Sequence, residues 1–168
     1  MHTAYLSHPS CLRHDMGEGH PECPARMLAI EEALHAAGLL DTLERIESRE
    51  VTREELARVH SVEYIDTILK LAPHRGMAYL DADTAMNPYS LAAALHAAGA
   101  AAQAVDTVMS GRVQTAFCNI RPPGHHAGRH RAAGFCIFNN VAVAAAHALA
   151  QHGLQRVAIA DFDVHHSN

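Results

Sequence analysis

The sequence predicts an α/β domain in which a parallel sheet is covered by helices on both faces. Short apolar runs alternate with longer, alanine-rich segments along the chain, so that strand and helix patterns follow one another. The strand candidates are mainly apolar, which is typical of strands buried on both sides in a parallel sheet. With 168 residues and no repeat or linker, the chain is expected to lie within one domain.

The first quarter of the chain predicts a strand, a long loop, a helix and a second strand. We expect a strand over residues 3–7, a loop over 8–20 and a helix over about 23–37. Apolar residues recur every three or four positions in that helix, and Gly38 follows it as a stop. A second short strand is expected at 43–46.

Two helices with N-terminal caps are predicted next. Thr52 is a suitable cap for a helix over 53–59, and Glu55 completes a capping-box pattern three residues later. Ser61 is a suitable cap for a further helix that extends to about Leu71.

The second half of the chain continues the alternation. A loop rich in Gly, Asp, Asn and Pro is expected over 73–88, followed by an alanine-rich helix over 90–109. A strand is predicted at 115–118 and a helix at 138–151, which Gly153 ends.

A final buried strand is predicted at residues 157–160, which are all apolar. Asp161, Asp163 and His165 follow it, and ligand sites in open α/β sheets lie beyond the carboxyl ends of strands. In an extended chain these three side chains project to one side. A carboxylate and an imidazole form half of a metal site, although the pattern alone is ambiguous between magnesium, manganese and zinc.

A second polar stretch precedes that strand. Residues 121–124, Arg-Pro-Pro-Gly, disfavour a helix and predict a rigid loop. His125 and His126 follow in tandem and point in different directions, so each can have its own partner. Because the ordinary pKa of histidine lies near neutral pH, this pair is a candidate for acid–base chemistry.

Composition excludes several classes of protein. The formal net charge is −5, so no overall basic field favours direct binding to nucleic acid. No apolar run approaches the roughly 20 residues of a membrane span, and the first residues do not have a signal-peptide pattern. The four cysteines show no CxxC pairing, which predicts a reducing, cytoplasmic location.

Three motifs, RPPGHHA, GFCIFNN and DFDVHH, resemble the zinc-dependent histone deacetylase family, which includes acetylpolyamine amidohydrolases. The bacterial, class II-like branch is the closer match, and GHPECPAR and VHSVEYI extend the resemblance along nearly the whole chain. Several separate motifs in order are far more specific than one. The resemblance implies an arginase/deacetylase-like three-layer fold, with residues 1–168 as the N-terminal part of one deacetylase domain.

The resemblance also implies the metals. Asp163 and His165 would ligate Zn²⁺, which polarises an acetyl carbonyl and activates a bound water. Asp161 and Asp163, together with backbone carbonyls, would hold a K⁺ ion.

The acid–base residues follow from the same resemblance. His126 would take a proton from the water and then protonate the leaving amine. His125 would be the more electrostatic partner, held by Asp161, and Asn168 would orient His126.

Four further residues have implied roles around the substrate. Phe135 would form one wall of a tunnel for the acyl chain, and Gly134 would let the substrate approach the backbone. Asp83 would grip substrate amides at the rim. Arg26 would lie near the exit path of the acetate product.

The leading hypothesis is therefore zinc-dependent hydrolysis of an acetylated lysine peptide or an acetylpolyamine. Two alternatives stay open: an inactive remnant or interaction module of the same fold, and a manganese ureohydrolase-like enzyme. The third metal ligand and a carbonyl-polarising tyrosine are expected beyond Asn168, and Ser167 stands where the family has glycine. A homo-oligomer is compatible with the sequence.

Overall fold

Three parallel strands organise the structure, a computed structural model that describes residues 2–167. Strand β1 (Thr3–Ser7) lies in the middle, with β2 (Glu44–Glu47) on one side and β5 (Thr115–Cys118) on the other. In the register, Leu6 lies opposite both Ile46 and Cys118. The prediction of a parallel sheet is thereby confirmed.

The other elements are helices and one short antiparallel hairpin. In chain order they are α1 (Ser10–Arg13), α2 (Ala25–Ala36), α3 (Arg53–Ala57), α4 (Val62–Leu71), the hairpin β3 (Ala78–Tyr79) and β4 (Ala85–Met86), α5 (Ser90–Met109) and α6 (Asn140–His152), with a 3₁₀ turn at Leu40–Thr42. The hairpin and α1 occupy segments that the sequence predicts to be loops. No helix within residues 2–167 is long and apolar enough to cross a lipid bilayer.

Helices cover both faces of the sheet, as the sequence predicts. On one face, Ala4 and Leu6 of β1 pack in an apolar cluster with Ala100 of α5. On the other face, the Tyr5 hydroxyl donates a hydrogen bond of 2.9 Å to Glu31 of α2. Alternate residues of one strand thus meet helices on opposite sides.

The predicted helix caps form. The Thr52 side chain accepts a hydrogen bond from the Glu55 backbone N–H, and the Glu55 carboxylate accepts one from the Thr52 N–H. Ser61 caps α4 by accepting from the Tyr64 N–H. Gly153 ends α6 with a left-handed backbone, at φ +64°.

A second apolar cluster lies beneath the loop that follows β5. It includes Ile65 and Ile68 of α4 together with Phe138 and Val143. The Tyr64 hydroxyl donates a hydrogen bond of 2.6 Å to the Ile137 carbonyl, which ties α4 to this loop.

The prediction of a strand at 157–160 is wrong. These residues form no strand within the described structure, and Val157 and Ile159 are 41% and 52% exposed. They lie beside Ala144 and Ala148 of α6 and are hydrogen-bonded to no strand. An apolar run becomes a strand only when a neighbouring strand pairs with it, and within residues 2–167 β5 pairs with β1 alone.

Candidate active site

A cleft of about 840 Å³ lies beyond the carboxyl end of β5. Nine of the ten residues that the sequence predicts for the site line this cleft: Arg26, Asp83, His125, His126, Gly134, Phe135, Asp161, Asp163 and His165. The tenth, Asn168, lies outside the described residues. Residues more than 130 positions apart are therefore brought to one place.

A buried ion pair holds the loop that carries the two histidines. The fully buried guanidinium of Arg121 donates to both carboxylate oxygens of Glu22, at 2.6 and 2.7 Å. It also donates to the carbonyls of Cys11 and His14, at 2.8 and 2.7 Å. A paired and hydrogen-bonded buried charge of this kind fixes the backbone from which His125 follows.

His125 is oriented by Asp161. Its Nδ1 atom lies 3.0 Å from Oδ2 of Asp161, so the ring N–H donates to the carboxylate. The hydrogen bond from His125 lowers the pKa of Asp161, and the carboxylate stays ionised. This is the pairing that the sequence predicts for these two residues.

The ring of His126 contacts that of His125 at an interplanar angle of 44°, with ring centroids 3.9 Å apart. Burial lowers the pKa of His126, and the neighbouring His125 and His165 lower it further. The ring also packs on Gly134, where an added Cβ would lie 2.4 Å from His126 Cδ2. A neutral imidazole held in this way can accept a proton.

Asp163 and His165 form the candidate metal pair. Oδ1 of Asp163 lies 2.9 Å from Nδ1 of His165 and also accepts a hydrogen bond from the His165 backbone N–H, at 2.9 Å. The hydrogen bond from the His165 backbone N–H lowers the pKa of Asp163 most, and the hydrogen bond with the His165 ring lowers it further. One carboxylate and one imidazole fit zinc and supply two of its three usual protein ligands at a catalytic site.

Phe135 forms a strained part of the wall. Its backbone φ is +69°, a region that residues other than glycine rarely adopt. The Phe135 N–H donates to Oγ1 of Thr84 at 3.0 Å, and its ring meets that of His20 edge to face, with centroids 4.7 Å apart. The surrounding contacts hold a conformation that an isolated chain would avoid, which is common at binding sites.

Asp83 and Arg26 line the same cleft but contact different elements. Asp83 belongs to the β3–β4 turn, where its carboxylate accepts from Thr84 Oγ1 at 3.1 Å. Arg26 donates to the Ile120 carbonyl, at 2.7 Å, and so lies where the chain leaves β5. Both side chains line the cleft, and their predicted roles at the rim and at the product exit stay predictions.

The sequence did not assign roles to Glu22, Arg121 or Thr84. Glu22 and Arg121 lie within the recognised motifs GHPECPAR and RPPGHHA, and Thr84 lies in the loop predicted over 73–88. A glutamate and an arginine in two loops that meet at one site were the available signal. Nothing in the spacing indicated that they would pair, because a contact 99 residues apart depends on the complete fold.

Comparison with known proteins places this geometry in context. Residues 20–168 match the family model described as histone deacetylase domain. Human polyamine deacetylase HDAC10 is 40% identical over 176 residues, an alignment that covers 99% of this chain and 26% of that protein. The crystal structure of the HDA15 HD domain superposes with a TM-score of 0.84 at 39% identity, over 89% of this chain and 43% of that one.

The chain spans about half, or less, of the length of these relatives. Uncharacterized protein slr0245 of Synechocystis is 45% identical over 160 residues, which is 94% of this chain and 52% of that protein.

Proposed function

Because this chain belongs to the histone deacetylase family, we propose that its protein hydrolyses an N-acetyl amide to a free amine and acetate, with zinc held in part by Asp163 and His165. The observation that carries the proposal is the meeting of three features in one cleft. These are the His125–Asp161 pair, the packed ring of His126 and the Asp163–His165 pair.

The side chains divide the chemistry between them. Zinc, when bound, supplies a Lewis acid that polarises the acetyl carbonyl and acidifies a water. His126 accepts a proton from that water and then donates a proton to the leaving amine. Asp161 fixes the Nδ1 proton of His125, which leaves the other ring nitrogen of His125 to interact with the reacting group.

The walls of the cleft select the substrate. A Cβ at position 134 would collide with His126, so Gly134 keeps both the catalytic ring and the approach to the backbone open. Phe135 contributes an apolar surface for an extended alkyl chain. Arg26, which contacts the Ile120 carbonyl, offers a positive charge to acetate as it leaves.

The substrate class is an acetylated aminoalkyl chain. One relative is named a polyamine deacetylase, and the matching family model is described as histone deacetylase domain, so acetylpolyamine and acetyl-lysine peptide are the two candidate substrates. A carboxylate at the rim, such as Asp83, favours a cationic polyamine. The ratio of kcat/KM for acetylspermidine to that for an acetyl-lysine peptide decides between them.

An interaction module of the same fold is a second candidate. Phe162 and Val164, between the site residues, are 98% and 91% exposed, which is unusual for apolar side chains beside a catalytic centre. A folded protein without amidase activity would favour this candidate.

The experiment is a comparison of two histidines of the same loop. We predict that His126→Ala lowers kcat by about 10²- to 10⁴-fold, because it removes the general base. His130→Ala is the matched control, since His130 is exposed and does not line the cleft. Equal activity of the two variants would exclude His126 from the chemistry.

A further inference from the structure

A second group of metal-binding side chains lies between α5 and α6, and none of its members lines the cleft. Oδ1 of Asp106, on α5, lies 2.6 Å from Nε2 of His147 and 2.8 Å from Nε2 of His152, both on α6. Within residues 2–167, the three ligand atoms all lie within 4.8 Å of one another. The sequence gives no hint of this group, because the three residues form no recognised motif.

The group is built on rigid elements. Helices α5 and α6 pack along each other, and His152 is the last residue of α6, directly before the Gly153 turn. Ligands on packed helices keep their positions better than ligands on loops. The ligand atoms are therefore already close together, and zinc–ligand bonds of about 2.0–2.2 Å require the hydrogen-bonded atoms to move slightly further apart.

Both ring nitrogens of His147 face carboxylates. Its Nε2 atom faces Asp106, and its Nδ1 atom lies 3.1 Å from Oε1 of Glu55 and 3.5 Å from Nη1 of Arg58. A neutral imidazole has only one N–H, so it can donate to only one of these two carboxylates. A cation bound by Nε2 and Asp106 would leave that single N–H on Nδ1, directed at Glu55.

Glu55 is held in place to accept the N–H of a histidine that binds a metal through its other nitrogen. Its carboxylate accepts hydrogen bonds from Arg49, at 2.6 and 2.9 Å, and from the Thr52 backbone N–H, at 2.7 Å. A histidine that ligates a metal through one nitrogen usually donates its other N–H to such a fixed carboxylate. This arrangement leaves Nε2 of His147 as the ligand atom.

The charges around the group also favour a cation. Glu55 and Asp106 contribute two negative charges, and Arg49 contacts both of them, at 2.6 and 3.6 Å. Arg58 is paired with Glu54, at 3.1 Å, so these two charges balance, and its guanidinium also lies 3.5 Å from Nδ1 of His147. One negative charge is therefore left over at the histidines.

We propose that Asp106, His147 and His152 bind a zinc ion. Two imidazoles and one carboxylate form a donor set that zinc accepts, with a fourth position for water. Asp106 and His152 are 41% and 24% exposed, so an ion reaches the site from solvent. The ion ties the ends of α5 and α6 together and does not take part in the proposed hydrolysis.

The test separates this ion from the one in the cleft. The intact protein carrying His165→Ala, which removes the cleft's imidazole ligand, is titrated with Zn²⁺ by calorimetry. We expect one zinc per chain. Adding His152→Ala weakens this binding at least tenfold, because ligands contribute no less than their outer partners. His35→Ala is the matched control, since His35 is an exposed histidine in the last turn of its own helix, α2.

A second variant and an NMR measurement test the proposal even if the His152→Ala protein does not fold. Asp106→Asn keeps the size of the side chain and removes its charge. We expect it to weaken zinc binding as much as His152→Ala does. In the His165→Ala protein, Zn²⁺ should shift the ¹⁵N resonances of the His147 and His152 rings and leave that of His35 unchanged. If zinc leaves these resonances unchanged, or if Asp106→Asn binds zinc as tightly as His35→Ala, the group is a metal-free ion network and the proposal is wrong.

Discussion

At the scale of single residues, Arg121 determines where the histidine pair lies. It is fully buried, pairs with Glu22 and satisfies two carbonyls of the segment around α1. Removing one partner of such a pair leaves an uncompensated buried charge, which costs about 3–5 kcal/mol. The position of His125 and His126 therefore depends on residues that do not themselves react.

His14 makes the stability of this region depend on pH. It is fully buried and its Nδ1 atom contacts Ser90 Oγ at 2.7 Å, while among the described residues Nε2 has no hydrogen-bond partner. Burial, and then the charge of Arg121, lower the pKa of His14 to about 4, although Glu22 opposes this. The folded protein thus keeps His14 neutral where the unfolded chain would protonate it.

We predict that the free energy of unfolding falls as pH drops from about 6.5 to about 4. In this pH range His14 is protonated in the unfolded chain and neutral in the folded protein. The contribution of His14 to the free energy of unfolding is therefore fully present above its pKa in the unfolded chain and decreases below it. The loss is roughly 3 kcal/mol, because one pKa unit corresponds to about 1.4 kcal/mol. Urea denaturation at a series of pH values measures it.

The control for this prediction compares how the free energy of unfolding depends on pH in two histidine variants. His14→Asn should lose a large part of the slope over this range, whereas His74→Ala, at an exposed position, should keep it. Identical slopes in the wild type and His14→Asn would show that His14 does not carry the effect.

Site residues were predictable at this scale because they lie in contiguous motifs. His125, His126, Asp163 and His165 occur within two short stretches, and the resemblance of both stretches to motifs of one family indicated that they meet. Asp106, His147 and His152 come together only through helix packing, which no local pattern encodes.

At the scale of secondary-structure elements, Gly99 controls how α5 packs. A Cβ at this position would lie 2.0 Å from the Arg49 carbonyl oxygen and 2.7 Å from the Val51 nitrogen. Both atoms belong to the backbone, which cannot rotate away as a side chain can. The helix therefore needs glycine here to approach the chain after β2.

We predict that Gly99→Ala destabilises the protein by about 1–3 kcal/mol, as overpacking usually does. Helix propensity alone predicts the opposite sign, a gain of about 1 kcal/mol. Thermal or urea unfolding measures the sign directly. Ala101→Ser, which adds one atom at a less buried position of α5, should change stability much less. A stabilised Gly99→Ala protein would contradict this contact.

The capped helices were predictable from local determinants, whereas the strand predicted at 157–160 does not form within residues 2–167. The capping box of α3 needs only Thr52 and Glu55, three residues apart, and it forms as predicted. The run at 157–160 has the composition of a buried strand, but within the described residues no strand pairs with it. Composition alone specified neither burial nor a hydrogen-bonded partner here, since Val157 and Ile159 are 41% and 52% exposed.

At the scale of the whole molecule, the fold class followed from the alternation of strand and helix patterns. The sheet lies between α2 and α5, and the cleft opens at the carboxyl end of its strands, as expected for an open α/β sheet. Strand order was not predictable from the sequence, because β1 pairs with β5 across more than 110 residues. The chain spans 52% of the length of the Synechocystis relative.

The central claim is that this cleft performs zinc-dependent amide hydrolysis, and the most direct test is the rate on a fluorogenic acetyl-lysine amide as zinc is removed and returned. We predict that chelation abolishes the activity of the intact protein and that Zn²⁺ restores it. Asp163→Asn, which keeps the shape of a proposed ligand without its charge, should stay inactive at the same zinc concentration. A folded protein that hydrolyses the amide equally well after chelation, or that stays inactive with zinc present, would contradict the account.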